Sequence, residues 1–254
     1  MNSGSEAVTK KIIRYVSGLR VPKERHASGY FVAEGFKVVE ELLHSDFKIQ
    51  MIVFEKGREV PEGWSGHSGL MYEASKIEFD KMSSLVTPAG VLAVAGIPEY
   101  ELPDVSISGR WELVLDGIND PGNLGTIIRT ADWFGVTDII CSPDTADCFS
   151  PKVVQAAMGS LFRMRIHYTD LKTYINSRKE RNATILIASA SGSNISFSKF
   201  KKGGILVMGS ESHGVRADIT ALGTDVVAIS RNAHSKTESL NAAVAAGILL
   251  SRLP

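Results

Sequence analysis

The 254-residue chain reads as an α/β protein, with a C-terminal mostly parallel sheet flanked by helices on both faces and a small α/β domain ahead of it. Three observations predict this. From about residue 111 onward, short apolar runs alternate with helical stretches, the pattern of strands buried on both sides. A stretch with prolines at 98 and 103 and little periodicity, Ile97 to Gly109, separates this part from what precedes it. The composition, 44% hydrophobic and 22% charged, is that of an ordinary globular chain.

The N-terminal elements follow in order. Tyr30 to Val32 begins a strand, and Phe36 to Leu43 carries Phe36, Val39, Leu42 and Leu43 at helical spacing. Ile49 to Phe54 is a second apolar strand and Gly69 to Tyr72 a third. Ser75 to Met82 predicts a short helix, and Gly90 to Ala95 another strand. The non-periodic linker then places a domain boundary near residue 105. Beyond it, buried strands are expected at Glu112–Leu115, Asp138–Cys141, Thr184–Ala188, Ile205–Met208 and Val226–Ile229, with a last helix from about Ser239 to Arg252.

Composition excludes some classes. Lys plus Arg and Asp plus Glu number 28 each, so net charge does not point to nucleic acid, although basic residues can gather on one face. The first residues lack the apolar stretch of a secretory signal, and no run approaches the roughly 20 apolar residues of a membrane span. Cys141 and Cys148 lack CxxC spacing, which points to a reducing cytoplasm, and the six His form no metal-binding cluster.

Three segments, each at the carboxyl end of an expected strand, carry the chemistry. In the first, Leu115 to Gly135, Asp120 suits a helix N-cap and Pro121 the first helical position. Leu124, Ile127, Ile128, Ala131 and Phe134 then form one face, while Gly122, Thr126, Arg129 and Trp133 share another. A Gly-rich helix start with an Arg further along is a phosphate site, or else an amphipathic helix with a solvated Arg. The second segment, Gly204 to Gly214, breaks a buried strand into Gly209 and Gly214, where a ligand can approach the backbone. It has neither dinucleotide-loop nor P-loop spacing, and Ser212 is in no hydrolase elbow. Glu211 there either meets a ligand hydroxyl or caps the following helix. In the third, Val226 to Leu250, a polar loop feeds a helix dense in small residues, with Ser239 and Asn241 at its start, as ligand contacts or as caps.

Taken together, NDPGNLGTIIRTADWFG, PKVVQAAMGSLFRM, LVMGSESHG and SLNAAVAAGILL, in that order, resemble the motif set of the SpoU methyltransferases of the wider SPOUT class. The resemblance spans roughly residues 111–254. More loosely, Arg20 to Arg25, Phe31 to Leu43 and Leu85 to Ala93 are similar to the family's ribosomal-protein-like RNA-binding extension. The resemblance implies an N-terminal substrate-binding domain with linker over 1–104 and a catalytic domain over 105–254, the latter tied in a deep trefoil knot, an exception to the usual unknotted rule.

It further implies S-adenosylmethionine held without metal at Met208, Gly209, Gly214, Ile229 and Leu240, and a homodimer. Asn123, Arg129, Glu211, Ser239 and Asn241 match catalytic and substrate-facing positions, and Arg20, Lys23, Arg25 and Arg129 are the expected RNA contacts. The implied reaction is methylation of a ribose 2′-hydroxyl in RNA, ribosomal or transfer, the N-terminal extension favouring ribosomal RNA. Arginine is a poor base, so Arg129 is expected to bind the adjacent phosphate and ease alkoxide development, with Glu211 and Asn123 holding ribose and Arg in place. Lys10, Lys11, Arg14, Arg20, Lys23 and Arg25 make the N-terminus locally basic, suited to phosphates or simply solvated.

The chain departs from the family where Ile229-Ser230-Arg231 replaces Ile-Pro-Met, where Ser212-His213 follows the Glu in place of Gly, and at Gln155 to Ser160. These departures support one rival reading: a knotted RNA-binding protein without methyltransferase activity.

Overall fold

A computed structural model describes residues 6–103, 109–193 and 203–253 of the chain. The boundary expected near residue 105 lies outside the described residues. Two compact units are present. One comprises the described residues up to Glu99 together with Phe149–Phe162; the other comprises Tyr100–Cys148 and the chain from Arg163 onward.

The first unit contains β1 (Glu6–Ala7), α1 (Lys10–Gly18), α2 (Pro22–Ser28), β2 (Tyr30–Glu34), α3 (Phe36–Leu43), β3 (Ile49–Glu55), β4 (Met71–Ala74), α4 (Lys76–Met82) and β5 (Val91–Gly96). The sheet order is β1-β4-β3-β5-β2, with β5 antiparallel to both β2 and β3. The third strand starts at Met71, not Gly69, because a 3-10 stretch over Glu62–Leu70 precedes it. Ser75 and Glu78 form a capping box at the start of α4, satisfying two helix-end donors reciprocally. Val16, Leu19, Val53, Phe79, Met82 and Leu92 pack in one core, and Phe31 and Phe47 meet Phe149 and Phe162 in an aromatic cluster.

The second unit holds β6 (Trp111–Asp116), α5 (Pro121–Trp133), β7 (Asp138–Cys141), β8 (Arg165–Tyr168), α7 (Leu171–Lys179), β9 (Thr184–Ser193), β10 (Gly204–Gly209), α8 (Ala217–Thr220), β11 (Asp225–Val227) and α9 (Ala242–Leu250). The intervening α6 (Pro151–Ala157) belongs to the first unit. All ladders are parallel, in the order β11-β9-β10-β6-β7-β8. Val114, Ile140, Ile185, Ile205 and Val207 pack on one face against Leu171 and Ile175 of α7 and Ile219 of α8. The alternating residues Leu113, Leu115, Leu206 and Met208 are buried as well, so both faces of the sheet are covered. Because β10 neighbours β6, the chain leaving each strand emerges side by side at their carboxyl ends, where open α/β sheets gather ligands.

Three further expectations are corrected, and one strand is new. β8 was not foreseen. The strand expected at Val226–Ile229 is Asp225–Val227, and residues 228–241 contain neither helix nor strand. The last helix begins at Ala242, because the Asn241 side chain caps it there. Phe134 is 42% exposed: it is the C-cap residue of α5, where the helical periodicity that would bury it ends.

Candidate active site

The site begins with α5. Asp120 caps it by accepting the Asn123 N–H at 2.8 Å, and Pro121, which has no N–H to satisfy, occupies the first position. Leu124, Ile127, Ile128 and Ala131 are buried, while Thr126, Arg129 and Trp133 are exposed on another face. The cap fixes Asn123 in the first turn, at the carboxyl end of β6.

The next strand end contributes a tight turn. A Cβ on Gly209 would lie 2.0 Å from the carbonyl carbon of Gly214, so only glycine lets the chain fold back this closely. Gly214 has φ +68° and donates its N–H to Ser210 O at 2.8 Å. The result is a turn over Ser210–Gly214 that displays Glu211, Ser212 and His213 to solvent. The Ser212 hydroxyl lies 2.8 Å from His213 Nδ1.

The third contribution is the start of α9. Asn241 Oδ1 accepts from Ala243 N and Val244 N at 3.0 and 3.2 Å. Its Nδ2 donates to Asn123 Oδ1 at 2.8 Å and to Glu211 Oε1 at 3.0 Å. Asn123 Nδ2 donates to the same Glu211 oxygen at 2.7 Å, and Ala242 N at 3.1 Å. Residues 88 and 118 apart in sequence thus form one network. Oε1 of Glu211 takes three N–H donors at the positive end of α9, whereas Oε2 has no hydrogen-bond partner among the described residues. Glu211 therefore presents one oxygen outward as an acceptor, rigidly aimed. The helix it caps is α9, not the one that follows it in sequence.

Of the expected catalytic residues, the structure unites Asn123, Glu211 and Asn241. Arg129 stands on the exposed face of α5, about 9 Å along the helix axis from Asn123. Ser239 is exposed in the loop before the cap and is not part of α9. Among the expected cofactor residues, Met208 is buried in β10, Ile229 is half-buried, and Leu240 is 44% exposed. Nothing lies within 4 Å of where a side chain at Gly214 would stand.

The basic N-terminal residues divide. Lys10, Lys11, Arg14 and Lys23 are exposed. Arg20 is exposed but donates to the carbonyls of Lys81 and Ser83. Arg25 overturns its expectation as an RNA contact: it is 1% exposed, and its Nη1 donates to Leu19 O and Arg20 O at 2.9 and 2.8 Å. Those carbonyls, at and just past the end of α1, draw the guanidinium inward, where a buried charge needs polar partners.

Sequence reasoning passed over Asp116 and Arg216, a buried carboxylate and its partner beside the site turn. A strand-end Asp and a post-turn Arg have no spacing signal that could have paired them. A cleft of about 540 Å³ lies at the amino ends of β6–β8, lined by Arg110, Trp111, Phe134, Thr137, Arg163 and Arg165, at the opposite end of the sheet from the polar network. Among the described residues, no group of three or more His, Cys, Asp or Glu could hold a metal ion, and no helix is long and apolar enough to cross a membrane.

Comparison with known proteins gives two matching family models. Residues 110–251 match the SpoU rRNA Methylase family and residues 10–93 the MRM3-like substrate binding domain. The chain is 31% identical over 237 residues to the Bacillus subtilis 23S rRNA (guanosine(2553)-2′-O)-methyltransferase RlmP, spanning 92% of each chain. Among solved structures, a protein of the TrmH family from Porphyromonas gingivalis superposes with a TM-score of 0.83 at 32% identity, covering 96% of this chain and 97% of that one. An AdoMet-bound rRNA methyltransferase from Sinorhizobium meliloti superposes with a TM-score of 0.84 at 26% identity, covering 98% and 96%.

Proposed function

The chain belongs to the SpoU rRNA methylase family, and from that premise we propose that it methylates a ribose 2′-hydroxyl of RNA using S-adenosylmethionine. One observation carries the proposal. The network of Asn123, Glu211 and Asn241 joins all three segments, two at the adjoining ends of β6 and β10 and the third at the start of α9, and leaves one carboxylate oxygen for substrate.

The residues present fit the cofactor. Open space over Gly214 admits a ligand against backbone. Residues 228–241 carry backbone donors and acceptors that no helix or strand consumes, and Ile229 and Leu240 offer partly exposed apolar surface for an adenine. When bound, the cofactor supplies an electrophilic methyl group, so the protein's work is alignment and charge stabilisation. Glu211 Oε2 accepts from the ribose or from Arg129. Arg129 holds the neighbouring phosphate and stabilises the oxygen that becomes negative as its proton passes to solvent water. Guanidinium stays protonated, so Arg129 is not the base.

The sheet order, with β10 between β9 and β6 and α9 returning against α5, supports a deep trefoil knot in the C-terminal part. Exposed Trp133 on α5 and Val244 on α9 support a homodimer in which a second copy covers them. The match of residues 10–93 to a substrate-binding model supports residues 1–104 as the RNA-binding part and 105–254 as the catalytic part, with Lys10, Lys11, Arg14 and Lys23 offered to phosphates. Ribosomal RNA is the proposed substrate and the cytoplasm the proposed compartment. The rival reading, a knotted RNA binder without activity, is opposed by the intact network.

The test is direct. Chelator-treated protein should bind S-adenosylmethionine saturably in isothermal titration, and a target RNA carrying a 2′-deoxy sugar should bind yet accept no methyl group. Methyl transfer to that deoxy RNA would move the chemistry to a base. Absence of cofactor binding at millimolar concentration would favour the inactive RNA binder.

A further inference from the structure

Asp116 and Arg216 are 100 residues apart, and among the described residues neither hydrogen-bonds to the polar network. Asp116 ends β6; its side chain is 1% exposed, and in the ladder it stands opposite Gly209, where the site turn leaves β10. Arg216 follows the other end of that turn. Its backbone N–H donates to Asp116 Oδ2 at 2.8 Å, and its guanidinium meets Oδ1 at 2.6 Å. A single buried carboxylate therefore grips the exit of the turn twice, beside its entrance. Asp144 and Asp218 add further negative charge around the guanidinium.

The Asp116 carboxylate is buried but the Arg216 side chain is 50% exposed, so solvent screens the pair and its net contribution to stability is small. What it supplies is a fixed geometry, because both partners must meet at one distance and angle. We propose that Asp116 and Arg216 are positioning residues that hold the Ser210–Gly214 turn closed, so that Glu211 reaches Asn123 and Asn241 and the turn backbone is set for the cofactor. This rests on the reading of that turn as the cofactor and ribose site. The bond through the Arg216 backbone fixes where the chain goes, and the ion pair fixes how firmly it stays.

Four variants test the pair: Arg216→Ala, Arg216→Lys, Asp116→Asn, and Asp116→Asn combined with Arg216→Ala. The readouts are S-adenosylmethionine affinity, the kcat and KM for RNA, the melting temperature, and hydrogen exchange of residues 209–217 without cofactor. Arg216→Ala should weaken cofactor binding and lower kcat by about tenfold each, leave KM for RNA unchanged, and speed exchange of 209–217. Arg216→Lys should recover part of the loss. The double variant, with no unpaired buried charge, should regain melting temperature but not affinity.

Unchanged affinity and exchange in Arg216→Ala, or full affinity in the double variant, would overturn the proposal and leave the pair a plain fold contact. Should wild-type protein bind no cofactor, the reading of the site fails, and exchange of 209–217 alone then decides whether the pair holds the turn.

Discussion

Glu112 and Glu211 are two carboxylates at opposite ends of one sheet, and they are held in opposite ways. Glu112, at the start of β6, is 7% exposed and spends both oxygens. Tyr174 donates to Oε2 at 2.7 Å, and Arg178 reaches both oxygens at 3.3 Å. Arg178, 2% exposed, also donates to Pro103 O and lies 4.4 Å over the Tyr174 ring. Burial and the Glu112 charge push the Tyr174 hydroxyl well above its usual pKa. Glu211 is exposed, meets only neutral donors, and spends one oxygen. A closed network with its countercharge inside holds a fold together. An open one with an oxygen unspent waits for a ligand.

The largest effect should come from opening the closed network. Arg178→Met leaves Glu112 buried without its cation, which should cost about 3–5 kcal/mol of stability. Urea unfolding would show the lowered midpoint, while turnover below that midpoint should stay near wild type. A stability loss smaller than about 1 kcal/mol would mean that Glu112 is relieved by water, and the contrast with Glu211 would lose its basis.

The open end should answer in the other currency. Arg129→Ala should lower turnover about 10²–10³-fold, the scale for removing a donor aimed at developing charge, with cofactor affinity and unfolding midpoint unchanged. Arg129→Lys should not rescue fully, because an ammonium cannot reproduce the planar fork. Near-wild-type turnover in the alanine variant would remove Arg129 from the mechanism. A smaller loss, roughly tenfold, is expected for Glu211→Gln, which keeps an acceptor of the same shape but removes its charge. If that variant instead unfolded early, Glu211 would belong with Glu112.

This contrast also explains what the sequence let through. The strands of the second unit are apolar runs, and the start of α5 is written in Asp120 and Pro121, so both were legible. β8 was not: Arg165, Ile166, His167 and Tyr168 form no apolar run, and its one buried residue, His167, is polar and paired with Asp138. The start of α9 was misplaced because Ser239 and Asn241 are both good caps, and only tertiary structure selects Asn241. No spacing rule connects Asn123, Glu211 and Asn241; resemblance to a family joined them. Arg25 was misread because composition counts an arginine as surface charge, whereas helix-end carbonyls can draw it inside.

Asp138 sharpens the comparison most finely, because it is closed and buried like Glu112 but its cation, Arg165, stands half in solvent. Its Oδ1 accepts from Arg165 Nε at 2.8 Å and meets His167 Nε2 at 3.1 Å; its Oδ2 accepts from Arg165 Nη2 at 2.6 Å and Thr137 at 2.8 Å. Burial alone would raise its pKa, but the hydrogen bonds from His167, Arg165 and Thr137 outweigh it and hold the carboxyl well below the usual range. A folded-state pKa below the unfolded value of about 3.9 contributes stability that is fully present above about pH 4 and is lost as the pH falls toward the folded value. The Arg165 side chain is 48% exposed, so solvent screens the pair and the contribution is about 1 kcal/mol. Wild type should therefore exceed Asp138→Asn in stability above about pH 4, and that margin should shrink as the pH is taken below about 4. Urea unfolding across that range measures it. A margin that persists undiminished to the most acidic folded condition would assign it to hydrogen-bond geometry rather than charge, and saturation by neutral donors would then close a carboxylate as firmly as a countercharge does.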